Sequence, residues 1–80
     1  MKVTNTKLLM EKMTNSGLKT SYIAEKLGLS VTQFRRKIKN LYSFDQCEIS
    51  VLCDLLHITS LKEKEAIFFA KQVDKNDYKH

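Results

Sequence analysis

The chain has no proline and no tryptophan, and it has only two glycines and two cysteines among its 80 residues. Because proline and glycine are the residues that most often interrupt helices, their scarcity favours a helical protein over a loop-rich one. The hydrophobic content of 42% is enough for one small core. The composition therefore predicts a single compact all-α domain of modest stability, which self-association would help.

Long apolar segments are missing as well. No run approaches the roughly 20 apolar residues that a membrane-spanning helix needs. The first twelve residues, MKVTNTKLLMEK, lack the hydrophobic stretch of a signal peptide. We therefore expect a cytoplasmic protein that does not associate with membranes.

The residues that usually carry out catalysis or bind metals are few and badly spaced. Cys47 and Cys53 are six residues apart on a predicted helix, on different faces, which excludes a disulfide between them and predicts two reduced thiols. Cys53 and His57 stand at i and i+4, but two ligands without a third do not form a metal site. There is no nucleophile beside a base and no glycine-rich phosphate loop. The sequence predicts no enzyme, no cofactor and no small-molecule ligand.

Acidic residues are rare in the first half of the chain. Residues 1–43 contain nine Lys or Arg and two acids, whereas residues 44–80 contain five Lys or Arg and seven acids. This asymmetry predicts that the N-terminal half binds a polyanion. A membrane surface fits poorly, because no helix combines a basic face with a broad apolar face carrying Trp or Phe anchors.

Residues 20–39 read as two short helices that meet at Gly28. The first is predicted from about Ser21 to Leu27, with Ile23, Ala24 and Leu27 on one inward face. Gly28 adopts the left-handed conformation without the steric cost of a Cβ atom, so the chain can leave the helix and turn sharply.

The second of these helices is predicted from Val31 to about Lys39. Ser30 is a good N-cap, Gln33 completes a capping box, and Leu29 can pack on Phe34. This helix has four basic residues and no acid, namely Arg35, Arg36, Lys37 and Lys39. A solvated charged face would explain that pattern, but the tight glycine turn before a basic outer helix favours a DNA-binding helix-turn-helix.

Several positions resemble the helix-turn-helix family of phage repressors and Cro-like regulators. They are Leu18, Ile23, Ala24, Leu27, Gly28, Ser30 and Phe34, with Phe44, Asp45, Glu48 and Ile49 at a later helix start. The resemblance covers about residues 5–70 and implies a five-helix lambda-repressor-like domain over residues 1–72, with a polar tail at 73–80. Thr20, Lys37 and Asn40 depart from the family, which commonly has Gln, an apolar residue and Gly there. Asn is the mildest departure because it tolerates the left-handed conformation.

The remaining helices are predicted to form the scaffold. Helix 1 should run from about Thr4 or Asn5 to Ser16 and end at Gly17. Helix 4 should follow Asp45 as N-cap, and helix 5 should start at Thr59 or Ser60.

The helix predicted from Val31 to about Lys39 would be the recognition helix of this motif. Together with the resemblance, it predicts the contacts with double-stranded DNA. The exposed residues of its first two turns are expected to contact bases: Val31, Thr32, Gln33, Arg35 and Arg36. The resemblance implies phosphate contacts from Lys19, Thr20, Ser30, Lys37 and Lys39.

The last helix offers candidate residues for a contact between two copies. Ile67, Phe68 and Phe69 point in three directions on a helix, so Phe68 and Phe69 are candidates for a dimer interface on a palindromic operator. The alternative function is a protein-binding adaptor or anti-repressor that keeps the helix-turn-helix scaffold without binding specific DNA.

Overall fold

Five short helices form the body of the protein in a computed structural model that describes residues 2–71. The elements in chain order are β1 (Lys2–Val3), α1 (Thr6–Ser16), α2 (Thr20–Leu27), α3 (Val31–Ile38), α4 (Gln46–Leu55), α5 (Leu61–Phe68) and β2 (Ala70–Lys71). The expectation of a compact five-helix, all-α domain is confirmed. The predicted polar tail at 73–80 lies outside the described residues.

Each helix contributes one large, fully buried side chain to the centre of the core. These residues are Leu9, Ile23, Phe34, Leu52 and Ile67, all less than 2% exposed. Because no helix of 8 to 11 residues is stable alone in water, the burial of these apolar faces holds the five helices in place.

The predicted helix starts are confirmed to within about a residue. Asn5, Ser30, Asp45 and Ser60 are N-caps whose side chains each accept a hydrogen bond from a backbone N–H three residues later. The capping boxes expected at Ser30 and Asp45 are both complete. Such caps satisfy backbone donors that a helix leaves unpaired, which is why local sequence determines these boundaries.

A two-stranded antiparallel sheet, which no sequence pattern predicted, joins the two ends of the described chain. Lys2 pairs with Lys71, and Val3 pairs with Ala70. Close by, the Asn5 N–H donates to the Ile67 carbonyl oxygen over 2.6 Å. The start of α1 is therefore fixed to the end of α5.

Phe44 lies in the loop between α3 and α4, and its ring packs between the rings of two other phenylalanines of the core. Its ring packs edge-on against Phe34 at 6.1 Å between centroids and against Phe68 at 6.0 Å. Phe68 is only 5% exposed, so this side chain is part of the monomer core. This placement corrects the expectation of a dimer contact at Phe68; Phe69 is half-buried.

Candidate nucleic-acid interface

The turn between α2 and α3 contains only Gly28, Leu29 and Ser30. Gly28 has φ 74°, and its N–H donates to the carbonyl oxygen of Glu25 over 3.0 Å. The Leu29 N–H donates to the carbonyl oxygen of Ala24 over 2.9 Å. These two bonds form a Schellman motif, which ends α2 and directs the chain into α3 at once.

The first turn of α3 is fixed by the reciprocal bonds of its capping box. The Ser30 hydroxyl accepts from the Gln33 N–H over 3.1 Å, and the Gln33 side-chain oxygen accepts from the Ser30 N–H over 3.0 Å. The side-chain NH₂ of Gln33 makes no hydrogen bond within residues 2–71, so it stays available to a ligand. Both side chains are exposed.

The outer face of α3 is polar and basic. Its inner face consists of Phe34 and Ile38, which are buried. With about 100° between successive residues, the direction opposite them belongs mainly to Thr32 and Arg36. The exposed side chains of this face are Thr32, Gln33, Arg35, Arg36 and Lys39, while Val31 is half-buried at one side. Four of the five predicted base-contacting residues are thus exposed, and the fifth lies at the margin.

The cations of this face have no acidic neighbour. Within residues 2–71, Arg35, Arg36 and Lys39 form no ion pair, and the two pairs that exist there are Lys12–Glu63 and Lys37–Glu48. Arg35 and Lys39 also stand at i and i+4, where like charges repel each other. The outer face of α3 therefore carries unneutralised positive charge that an external anion would stabilise.

Lys37 has a different role from the one that the resemblance implied. Its Nζ donates to both carboxylate oxygens of Glu48, over 2.6 and 2.8 Å. Glu48 is 7% exposed, and one of its oxygens also accepts from the Asp45 N–H over 2.9 Å. Lys37 thus connects α3 to the capped start of α4. This pairing argues against a phosphate contact by Lys37, because binding a phosphate would leave a buried carboxylate without its cation.

The other end of α3 is bound to the first residues of the chain. Asn40 has φ 67°, and its side-chain amide accepts from the Thr4 N–H over 2.8 Å and donates to the Thr4 carbonyl oxygen over 2.9 Å. The Thr6 hydroxyl donates to the Ile38 carbonyl oxygen over 2.6 Å. Asn40 therefore adopts the expected left-handed conformation and also does what glycine could not, since its side chain fixes the helix end.

The remaining predicted phosphate-contacting residues lie at the two helix starts of the motif. Lys19 is the exposed N-cap of α2, without a side-chain capping bond, and Thr20 is the half-buried first residue of that helix. The N–H groups of Thr20, Ser21 and Tyr22 make no hydrogen bond within residues 2–71. Ser30 holds the corresponding place in α3. Both helix starts therefore present partial positive charge.

Leu41 and Tyr42 are two surface residues that the sequence reasoning missed. They lie in the loop after α3, with two residues between them and its end, and are 66% and 60% exposed. Tyr42 borders a shallow cleft together with Gln33 and Arg36 of the outer face. The sequence did contain a signal that could have identified them. They are a pair of large apolar residues near a helix end, in a loop with no helical periodicity.

The described residues provide little for other chemistry. Among residues 2–71, no three His, Cys, Asp or Glu side chains are grouped so that they could hold a metal ion. Cys47 is exposed and Cys53 half-buried, and both are free thiols. Desolvation by burial is the largest influence on Cys53 and raises the pKa of its thiol. No helix in this part of the chain is long and apolar enough to cross a bilayer.

Comparison of the chain with protein-family models, characterised proteins and solved structures finds no match. The interpretation of the outer face of α3 therefore rests on this chain's own residues and geometry. Those are a basic helix fixed at both ends and along one side, with an exposed face that has no ion-pair partner among residues 2–71.

Proposed function

We propose that the protein is a cytoplasmic, sequence-specific DNA-binding regulator of transcription, with a lambda-repressor-like helix-turn-helix formed by α2 and α3. The observation that carries the proposal is the outer face of α3, where three cations that form no ion pair with the described part of the chain lie on a helix that is fixed in place. A rigid basic helix that projects from a small domain fits the major groove of B-DNA, which is about 12 Å wide. The resemblance to phage repressors and Cro-like proteins suggests a similar switch role.

The exposed residues divide into two roles under this proposal. Arg35 and Arg36 would read guanine through bidentate bonds to O6 and N7, while Thr32 would contact a thymine methyl or a base edge. Gln33 would use its NH₂ group only, because its side-chain oxygen already accepts the Ser30 N–H. Lys19, Thr20, Ser30 and Lys39 would bind phosphates and set the position of α3 without reading sequence.

A selection experiment tests this function. Purified protein is incubated with a random-sequence duplex library at near-physiological salt, and the enriched sequences are footprinted. We expect one enriched motif. Arg36→Ala should weaken binding to that motif more than binding to unrelated DNA, by about 1–3 kcal/mol in specificity. Lys39→Ala should weaken both equally and reduce the slope of log K against log salt by about 1.

Lys62→Ala is the matched control for this experiment. Lys62 is an exposed lysine on α5, so its replacement changes the net charge equally without touching the outer face of α3. Wild-type binding by Lys62→Ala is expected. No enrichment by the folded wild-type protein would refute DNA recognition and favour the alternative, a protein-binding adaptor or anti-repressor that uses Leu41 and Tyr42 as its contact surface.

We further propose that two copies bind a palindromic operator together. Two recognition helices read half-sites about 34 Å apart, and a contact between the two copies makes their binding cooperative. Since Phe68 is buried in the monomer, the exposed Leu41 beside the recognition helix is the better candidate for that contact, with Phe69 at most at its edge.

Leu61 offers a matched control for the dimer contact, because it is 69% exposed against 66% for Leu41. Leu41→Gln should retain wild-type affinity for a single half-site but lose cooperativity on the palindrome, measured by band shift with both duplexes. Leu61→Gln should retain both properties. Equal cooperativity in the two variants would exclude Leu41 from the contact.

A further inference from the structure

A pocket of about 340 Å³ lies where α1, the start of α2 and α3 meet. We call it the α1–α3 pocket. Three apolar side chains line it, Met10 and Met13 from α1 and Ile38 from α3. Its volume falls within the range of about 300–1,000 Å³ found for sites that bind small molecules.

Two of the four polar side chains that line the α1–α3 pocket are cations, and the other two are threonines, Thr6 and Thr20. Arg35 and Lys39, one helical turn apart on α3, border it and have no acidic partner within residues 2–71. Thr20 also borders it, at the start of α2, where three N–H groups make no hydrogen bond within the described chain. Two side-chain cations and a positive helix end thus surround one edge of an apolar cavity.

We infer that the α1–α3 pocket binds a small amphiphilic carboxylate. The carboxylate would lie between Arg35 and Lys39, where a negative charge relieves the repulsion between them. The apolar body would cover Met10, which the monomer leaves 45% exposed, and reach Met13 and Ile38, which are at most 5% exposed. Methionine side chains adapt well to irregular ligands, since they are unbranched and polarisable.

The groove between α1 and α5 shows why charge favours this pocket. That groove is lined by both acids and bases, including the ion pair Lys12–Glu63 over 2.6 Å. One of its two cations, Lys12, is already paired, and its two acids repel an anion. Among the described residues, none of those that line the α1–α3 pocket is acidic. A carboxylate is therefore expected to choose the pocket beside α3.

Binding there would also affect DNA, a consequence that rests on the proposed function. A carboxylate held by Arg35 and Lys39 occupies one side chain assigned to bases and one assigned to phosphate. The ligand and DNA would therefore compete, which would make the carboxylate an inducer.

Octanoate is the probe for a direct test that needs no DNA. Addition of octanoate to the ¹³C-methionine-labelled protein should shift the methyl resonances of Met10 and Met13 saturably. Octanol supplies the apolar body without the charge, and inorganic phosphate supplies charge without the body; neither should reproduce the shifts at equal concentration. Arg35→Gln/Lys39→Gln should weaken octanoate binding at least about tenfold. Lys12→Gln/Lys62→Gln, which removes the same two charges from the α1–α5 groove, should not.

Three results would overturn the inference. They are the absence of saturable shifts at Met10 and Met13, equal octanoate affinity in the Arg35→Gln/Lys39→Gln variant, and equal shifts with phosphate, which would identify a site for a phosphate group alone. Competition with DNA is measured separately on the motif from the selection experiment. Octanoate binding in a protein that selects no DNA would refute the proposed function and leave the pocket assignment intact.

Discussion

Glycine is expected to have opposite effects at two positions of this chain. Asn40 and His57 are the residues other than glycine with positive φ in residues 2–71, at 67° and 56°. Both end a helix in the same way, because the next N–H donates back to a carbonyl oxygen five residues earlier, Leu41 to Arg36 and Ile58 to Cys53, over 2.9 Å in each case. The two positions differ in what the side chain does.

The left-handed conformation of His57 destabilises the protein, and no hydrogen bond of its side chain within the described residues offsets that cost. Its side chain is exposed and makes no hydrogen bond within the described residues. The left-handed conformation costs an L-residue about 1–2 kcal/mol, and glycine avoids this but gives the unfolded chain about 0.4–1 kcal/mol more conformational freedom. His57→Gly should therefore stabilise the protein by about 0.5–1 kcal/mol and raise Tm by about 3–6 °C.

At Asn40 the hydrogen bonds of the side chain stabilise the protein by more than the left-handed backbone conformation destabilises it. Its amide makes two hydrogen bonds with the backbone of Thr4, a residue that is only 8% exposed. Each bond contributes about 0.5–1.5 kcal/mol, and Asn tolerates positive φ better than His does. Asn40→Gly should therefore destabilise the protein by about 1–2 kcal/mol. Asn40→Ala should destabilise it by about 1 kcal/mol more, because Ala also suffers the strain of positive φ.

Urea unfolding followed by circular dichroism at 222 nm measures all three variants, and unchanged m-values would show that the two-state comparison is valid. The expected order of stability is His57→Gly, wild type, Asn40→Gly and Asn40→Ala. Stabilisation by Asn40→Gly equal to that by His57→Gly would refute the reasoning, because the bonds between Asn40 and Thr4 would then contribute nothing.

Two further predictions concern charge and thiol reactivity. Lys37→Ala should lower the free energy of unfolding by about 2–3 kcal/mol, because it leaves the buried Glu48 carboxylate unpaired. Lys39→Ala should change the free energy of unfolding by less than about 0.5 kcal/mol. The double variant Lys37→Met/Glu48→Gln should recover most of the stability that Lys37→Ala loses, since Gln preserves the capping box. Equal stability of Lys37→Ala and Lys39→Ala would count against the buried pair. Iodoacetamide at pH 8 should alkylate the exposed Cys47 first, because burial raises the pKa of the Cys53 thiol and keeps it protonated. Mass spectrometry measures the alkylation rates of Cys47→Ser and Cys53→Ser, each of which retains one thiol. Faster alkylation of Cys47→Ser would contradict this order.

Local signals in the sequence predicted the helix boundaries well. Ser30 with Gln33 and Asp45 with Glu48 form capping boxes in which both partners lie within four residues of each other, so no tertiary contact is needed to identify them. At Asn40 the expectation came from the resemblance, because the family commonly has Gly there and Asn tolerates the left-handed conformation.

Contacts between distant residues were beyond the sequence. The bonds of Asn40 to Thr4 and of Lys37 to Glu48 join residues 36 and 11 apart, and no periodicity relates such partners. The expectation at Lys37 failed because its charge was taken to be free. The α1–α3 pocket was missed for a similar reason, because its lining comes from three helices whose packing angles a sequence does not specify.

The burial of Phe68 on α5 depends on one contact with a distant residue. A helix places Ile67, Phe68 and Phe69 about 100° apart, so the pattern showed that their environments differ without showing which side chain faces the core. The ring of Phe44 decides this, because it lies edge-on to Phe68 from a loop 24 residues earlier in the chain. The candidate dimer contact moved from Phe68 to Leu41 as a result.

The way α3 is held explains how an unfavourable helix persists. Its eight residues are too few for a stable isolated helix, and it carries three basic residues in its last turn and no acid. The Ser30 capping box, the Asn40 bonds to Thr4 and the Lys37–Glu48 pair hold its start, its end and one side. The Asn40 and Lys37 interactions use groups outside the outer face, and the capping box occupies only the side-chain oxygen of Gln33. The repelling cations of that face therefore stay free to bind a ligand. A polyanion that binds there finds the helix already ordered and loses little affinity to ordering it. A surface whose only purpose was solubility would gain nothing from these long-range contacts, which is the physical reason to look for its ligand among nucleic acids first.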